Sequence, residues 1–146
     1  MDKQLIIKRT HISYSNDEFE YLNNHSDYPI EDNQIFSKVF NDYEDFYNFI
    51  INLPFTLKDE FKNELFSSYN SDYFINNNLV MMFSDERSGS NKLTIEDVTT
   101  EDKQINISLL RKRGLTMDMA YLFMFIDVDK TIEKSKVIIN EMTDFF

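Results

Sequence analysis

The chain has 146 residues, of which 42% are hydrophobic and 15% aromatic, and its net charge at pH 7 is −11. The aromatic content excludes a disordered chain, and the excess of acid argues against binding to the phosphate backbone of nucleic acids. The chain has no cysteine, which excludes disulfides, thiolate metal sites and a cysteine nucleophile. We expect a single domain over residues 1–146.

The first 40 residues should form an irregular segment with one strand. Apolar residues between Leu5 and Tyr14 predict that strand, and the polar, Asn- and Asp-rich residues 15–34 predict a loop. The apolar run at residues 5–7 is too short for a signal peptide, and no segment approaches the roughly 20 apolar residues of a membrane span. We therefore expect a soluble, cytoplasmic protein, or an extracytoplasmic one if a leader has been removed.

Two helices are predicted within residues 41–70. Asn41 and Glu44 have the spacing of a capping box, and the first helix should end before Pro54. Thr56 is expected to cap the second helix, with Asp59 at its third position. Each helix has an apolar stripe at helical spacing, formed by Tyr43, Phe46, Tyr47 and Ile50 in the first and by Leu57, Phe61 and Leu65 in the second. The stripes predict core contacts, although helices that splay from the sheet would turn the first stripe into a groove for a partner.

After residue 78 the apolar pattern changes to alternation and predicts five strands, at 79–83, 92–98, 104–110, 120–128 and 136–142. Val98 is out of phase with the alternation before it, which indicates a β-bulge. The strand at 120–128 is apolar on both faces, so it should be central and covered on both sides. These elements predict an α+β fold, with two N-terminal helices packed on a mainly antiparallel sheet of about five strands.

Two stretches within residues 72–142, "DYFINNNLVMMFSDERSGSNKLTIEDV" and "QINISLLRKRGLTMDMAYLFMFIDVDK", carry a family resemblance. They are similar to the C-terminal module of proteins of the protease complex subunit PrcB type, in particular to uncharacterised members from Gram-positive bacteria. The matching positions include Phe74, Asn78, Leu79-Val80, Val98, Ser88-Gly89-Ser90, Thr116, Asp118-Met119-Ala120 and Lys130. The resemblance implies a small β-rich module with a binding function and without a catalytic role.

Loop residues provide the candidate sites. A glycine loop next to an arginine is able to form a nest for an anion, and a cluster of basic residues is able to dock an acidic partner. Both patterns also fit plain connecting loops. A threonine and an aspartate before the strand at 120–128 fit a structural latch, in which their side chains accept backbone hydrogen bonds. The candidate binding residues are Arg87, Ser88, Gly89, Ser90, Arg111, Lys112 and Arg113, and the latch residues are Thr116 and Asp118.

The sequence contains no catalytic motif, and its two histidines, His11 and His25, have no helpful context. We therefore expect no enzymatic activity, no cofactor and no metal. The hypothesis that follows is a non-catalytic protein-interaction domain of the PrcB-like type, with a protein partner and without direct binding to nucleic acid. The alternative is a small acidic inhibitor, of the kind encoded by phages or mobile elements, which blocks a nucleic-acid-binding protein.

Overall fold

A computed structural model of the chain describes residues 5–10, 35–53, 57–86, 91–101, 104–115, 120–130 and 136–144. These residues contain seven strands and three helices. The strands are β1 (Leu5–Thr10), β2 (Ile35–Phe40), β3 (Asn77–Glu86), β4 (Lys92–Glu101), β5 (Gln104–Lys112), β6 (Ala120–Asp129) and β7 (Lys136–Asp144). The helices are α1 (Tyr43–Ile51), α2 (Asp59–Ser68) and α3 (Tyr73–Asn76). The predicted loop at 15–34 lies outside the described residues.

The strands form two sheets. One has four strands in the order β1-β6-β3-β2, with every neighbouring pair antiparallel. The other has the order β4-β5-β7, in which β4 and β5 are antiparallel and β5 and β7 are parallel. The α+β class and the antiparallel character are confirmed, but the strands lie in two sheets instead of one. Between β5 and β7 the chain passes through β6 in the four-stranded sheet. This crossover allows β7 to run in the same direction as β5 and to pair with it in parallel.

Successive side chains on a strand point to opposite faces of a sheet, and in β2, β3 and β6 of the four-stranded sheet both faces carry buried side chains. On one face, strand residues such as Met81 and Phe125 belong to a single buried cluster with Phe46, Leu65 and Phe74. The ring of Phe61 on α2 lies 5.4 Å from that of Phe123 on β6. The opposite face forms a second cluster with the three-stranded sheet, which includes Val80, Met82, Met124, Ile107 and Leu109. The two faces of the four-stranded sheet thus contribute to two separate clusters of buried side chains.

Strand β6 lies between β1 and β3 in the four-stranded sheet. All of its residues from 122 to 128 are buried. Phe123 and Phe125 belong to the cluster with the helices, whereas Leu122, Met124 and Ile126 belong to the cluster with the other sheet. The prediction that this strand is central and covered on both faces is confirmed.

Strand β4 of the three-stranded sheet buries one face and exposes the other. Leu93, Ile95 and Val98 of β4 are buried, and the pairing with β5 shifts between Ile95 and Asp97. This shift is the β-bulge that the phase of Val98 predicted, and it allows Val98 to return to the buried face. Glu96 and Asp97 are exposed at the bulge.

The helix ends differ from the predicted ones. Asp42 caps α1, since its side chain accepts a hydrogen bond of 2.8 Å from the amide of Asp45. The prediction of Asn41 as the cap with Glu44 as its partner is therefore wrong by one residue, because Asp42 is an equally good cap three residues before an amide it can reach. Lys58 is the cap residue of α2 and makes no side-chain capping bond.

The predicted start of the second helix is also wrong. With Lys58 as the cap, Asp59 is at the first helical position instead of the third. Thr56 lies outside the described residues. The negative charge of Asp59 still lies at the positive end of the helix dipole, where it is favourable at either position. In the turn that follows, the amide of Tyr73 donates to the side chain of Asn70 at 3.0 Å, and Phe74 is buried as expected.

Strand β2 was not predicted. Ile35 and Val39 face the three-stranded sheet, and Phe36 and Phe40 face the helices. Both faces are apolar, so the segment shows no simple alternation, and a short apolar run is not distinguished from the start of a helix by its period alone. The strand places the chain beside β3 immediately before α1.

Phe46 of α1 provides a test of the helical layer. It is fully buried, and its ring lies 5.3 Å from the ring of Phe40 and 5.8 Å from that of Tyr69. Phe46→Ala should lower the free energy of unfolding by about 3–5 kcal/mol, because it removes a buried ring and leaves a cavity. Ile51→Ala on the same helix is the control. Its side chain is exposed, so a loss below about 1 kcal/mol is expected. Equal losses in urea denaturation would contradict the described packing.

Candidate functional site

Several residues singled out by the sequence lie outside the described part of the chain. They are Arg87, Ser88, Gly89, Ser90, Thr116 and Asp118. The anion nest and the latch therefore stay predictions. The three basic residues at 111–113 are described, and two of them extend β5 instead of forming a loop.

Arg111 connects the two sheets. It is half-buried on β5, and its Nη2 donates a hydrogen bond of 3.3 Å to the hydroxyl of Ser84 on β3. Ser84 is fully buried. The guanidinium of Arg111 is thus directed at least partly to the space between the sheets, and we assign it a structural contribution. Lys112 and Arg113 are exposed.

A group of positive charges occupies one end of the three-stranded sheet. Lys92 of β4 is directly opposite Lys112 of β5, and both side chains are exposed. Like charges in this cross-strand position repel each other. Arg113 follows immediately, while Asp144 of β7 is the register neighbour of Lys112 on its other side. We call Lys92, Lys112 and Arg113 the basic end.

A hydrogen bond holds the chain together at the basic end. The side-chain oxygen of Asn91 accepts a bond of 2.7 Å from the backbone amide of Gly114, and Asn91 is buried. Asn91 directly follows the segment 87–90, and Gly114 directly follows Arg113. The residues that flank the two predicted binding segments are therefore in contact with each other.

The predicted aromatic stripe of α1 is divided between core and surface. Phe46 and Ile50 are buried, but Tyr47 is 39% exposed and Ile51, one turn later, is 48% exposed. The Tyr47 ring lies 4.9 Å from the ring of Phe66 on α2 and 5.8 Å from that of Tyr43. We call Tyr43, Tyr47, Ile51 and Phe66 the helical face.

The helices that carry the helical face also carry exposed acidic side chains. Residues 41–76 contain seven carboxylates and two lysines, Lys58 and Lys62. All seven carboxylates are exposed, and they are Asp42, Glu44, Asp45, Asp59, Glu60, Glu64 and Asp72. Lys62 lies 3.8 Å from Asp59, so its charge is partly compensated. The helical layer therefore presents apolar side chains within a negative surface.

One lysine shows that the aromatic layer accommodates a cation. The ammonium group of Lys38 on β2 lies 5.7 Å from the ring centre of Phe40 and 5.8 Å from that of Phe49. At these distances the negative face of the ring attracts the positive charge. The arrangement indicates what a cationic side chain gains at this layer.

A buried carboxylate lies near the C-terminal end of β6. Asp127 is 9% exposed, and the hydroxyl of Tyr73 donates to its Oδ1 at 2.6 Å. Burial raises the pKa of the Asp127 carboxyl above its usual range, while the hydrogen bond from Tyr73 lowers this pKa. Burial, followed by the contact with Asp127, raises the pKa of the Tyr73 hydroxyl. The pair therefore holds the hydroxyl of Tyr73 protonated.

Lys130 joins three segments next to this pair. Its amide donates to the carbonyl of Asn76 at 3.0 Å, and its ammonium group donates to the side-chain oxygen of Asn78 at 3.4 Å. The ammonium group also donates to the carbonyl of Asn41, directly before the cap of α1. The sequence alone does not indicate these contacts, because the partners of Asp127 and Lys130 are about 50 residues or more away along the chain.

The hydrogen bonds of Tyr73, Asp127 and Lys130 have a structural role. Tyr73 and Asp127 satisfy each other, and Lys130 contacts backbone and amide oxygens. Within the described ranges, no cluster of three or more His, Cys, Asp or Glu side chains is arranged to hold a metal ion. None of the described helices has the length and hydropathy that crossing a membrane requires.

Comparisons with models of protein families, with curated proteins and with solved structures found no match. The resemblance of residues 72–142 to the PrcB-like module thus stays a prediction. The function proposed below is therefore argued from the positions of the exposed charges and rings.

Asp127 should give stability a pH dependence with a known sign. Because its pKa is raised in the folded state, the stability it contributes is complete below its ordinary value of 3.8 and is lost as the pH rises through the folded pKa. Asp127→Asn should remove this loss. The free energy of unfolding of the wild type should therefore fall relative to the variant as the pH rises above 3.8.

The measurement is urea denaturation of both proteins at a series of pH values from acid to neutral. Tyr73→Phe sharpens it, because the hydrogen bond from Tyr73 lowers the pKa of Asp127. Without that bond, the fall should extend to higher pH. Parallel curves for the wild type and Asp127→Asn would show that Asp127 is not the buried, hydrogen-bonded group described above.

Proposed function

We propose that this chain is a non-catalytic protein-interaction domain, of the PrcB-like type that residues 72–142 resemble. The observation that carries the proposal is the helical face, where Tyr47 and Ile51 are exposed one turn apart beside the ring of Phe66. Single exposed apolar residues are common, but adjacent ones surrounded by polar groups are typical of binding surfaces. In this proposal, α1 and α2 are packed on the four-stranded sheet and serve as a rigid platform.

The fixed core below the platform supports this function. Phe46 and Ile50 hold α1 in the cluster that includes strands β3 and β6, so the exposed side of the helix keeps its orientation. A surface on a rigid element loses little conformational entropy when it binds. The hydrogen bond from Tyr73 to Asp127 supports the non-catalytic part of the proposal, since it gives this buried carboxylate a structural role.

The basic end is the second contact surface in the proposal. The exposed pair of Lys92 and Lys112 repels itself in the free protein, and a carboxylate of a partner would relieve that repulsion. Arg87 and the Ser88-Gly89-Ser90 segment belong to this surface as predicted residues. Arg111 contributes less than expected, since it reaches toward Ser84.

A small acidic inhibitor is the second candidate. The seven exposed carboxylates of residues 41–76 favour it, because carboxylates on a rigid surface are able to take the place of phosphates in the groove of a nucleic-acid-binding protein. In this case the chain binds the protein and not the nucleic acid.

The test is capture of a partner by the immobilised chain from extracts of cells that produce it. Tyr47→Ser with Ile51→Ser should reduce capture by at least about tenfold, which corresponds to about 1.4 kcal/mol. Leu115→Ser is the matched control, since Leu115 is 85% exposed and lies after β5. Lys112→Glu with Arg113→Glu measures the share of the basic end.

The outcomes separate the candidates. A partner lost with the helical-face variant and kept with Leu115→Ser supports the interaction domain. If that partner also loses its binding to nucleic acid in the presence of the chain, the inhibitor is the better description. Equal capture by the wild type and by both surface variants, or no capture at all, would contradict the proposed function.

A further inference from the structure

We infer that the helical face docks a basic segment of a partner protein that also carries apolar side chains. This inference rests on the proposed function and gives its partner a chemical class. It follows from three observations at one layer of the structure, which are an exposed apolar line, a surrounding negative charge and a ring system that already holds a cation.

The apolar line requires apolar side chains on the partner. Tyr47 and Ile51 are four residues apart on α1, so their side chains are neighbours about 6 Å apart on one side of the helix. Phe66 of α2 extends this surface sideways, with its ring 4.9 Å from that of Tyr47. Covering these groups removes apolar area from water, which a purely polar partner would not do.

The negative charge of the helices favours a basic partner. Glu44 precedes Tyr47 by one turn on the exposed side of α1, and Asp42 and Asp45 occupy the start of the same helix. On α2, Asp59 is exposed and lies on the side of Phe66, about two turns before it, whereas Glu60 and Glu64 are exposed on another side of this helix. An acidic segment would be repelled at these positions, and the phosphates of a nucleic acid would be repelled in the same way.

The rings give a cation a further reason to bind here. Lys38 lies over Phe40 and Phe49, on the same side of the four-stranded sheet as the helices. In this inference the exposed part of the Tyr47 ring attracts a lysine or arginine of the partner in the same way. Lys62 on α2 opposes such a partner, but its contact with Asp59 compensates part of its charge.

The experiment uses the full chain and four fluorescent probes. They are an amphipathic peptide of Leu and Lys of roughly 18 residues, about five helical turns, its Leu and Glu counterpart, a Ser and Lys peptide of equal charge, and an oligothymidylate. Fluorescence anisotropy should show binding of the Leu and Lys peptide. The Ser and Lys peptide should bind at least about tenfold more weakly, and the Leu and Glu peptide and the oligothymidylate should not bind.

Variants locate the site. Tyr47→Ser with Ile51→Ser should weaken the Leu and Lys peptide at least about tenfold at any salt concentration, because the apolar contribution is not screened. Glu44→Lys should weaken it mainly at low salt, where the Debye length is near 30 Å at about 0.01 M. Leu115→Ser and Asp97→Lys are the matched controls on the other sheet and its loop, and both should bind like the wild type. Circular dichroism confirms that each variant is folded.

Four results would overturn the inference. The first three are equal binding of the Leu and Glu peptide, equal binding by the Tyr47→Ser and Ile51→Ser variant, and tighter binding of the oligothymidylate. A second copy of the chain, docking through its basic end, is a fourth, and it would appear as self-association in sedimentation that Lys112→Glu with Arg113→Glu abolishes. If partner capture depends on the helical face and the Leu and Lys peptide does not bind, the inference fails while the proposed function stands.

Discussion

The burial of β6 on both faces is the constraint on which the rest of the structure depends. A strand between two apolar layers needs apolar side chains on both sides, and β6 supplies them from Leu122 to Ile126. Asp127 interrupts this pattern where the strand approaches the surface. Its carboxylate is tolerated there because Tyr73 donates a hydrogen bond to it, which offsets part of the cost of burying a polar group.

The outer layers follow from the same constraint and are free to carry function. Phe46, Ile50 and Leu65 of the helices belong to the buried cluster on one face of the four-stranded sheet. Tyr47 and Ile51 of α1 are exposed. The three-stranded sheet contributes to the cluster on the other face, and the exposed side chains of β4 are polar. Residues 41–76 carry seven exposed carboxylates, and a small group of basic residues lies at one end of β4 and β5, whose outer side also exposes Glu96 and Asp97.

Alternation and helical spacing predicted much of the fold. The bulge near Val98, the doubly buried β6 and the buried alternation of β5 are confirmed, because each is a local property of side-chain direction. The division into two sheets was not predictable in this way, since periodicity gives the faces of a strand and not its neighbours. The same limit applies to the site. The pattern assigned Tyr47 to the core with Phe46, although their burial depends on the tertiary packing, in which Phe46 contacts Phe40 and Tyr69.

Native-state hydrogen exchange of β6 tests this account most directly. If β6 is the strand shared by both cores, its amides from Leu122 to Ile126 exchange only when the whole chain unfolds. Their exchange free energies should then equal the free energy of unfolding from urea denaturation, and the amides of β4, whose outer face is exposed, should exchange at lower free energies. Exchange of the β6 amides at a lower free energy than those of β4 would contradict the central position of this strand.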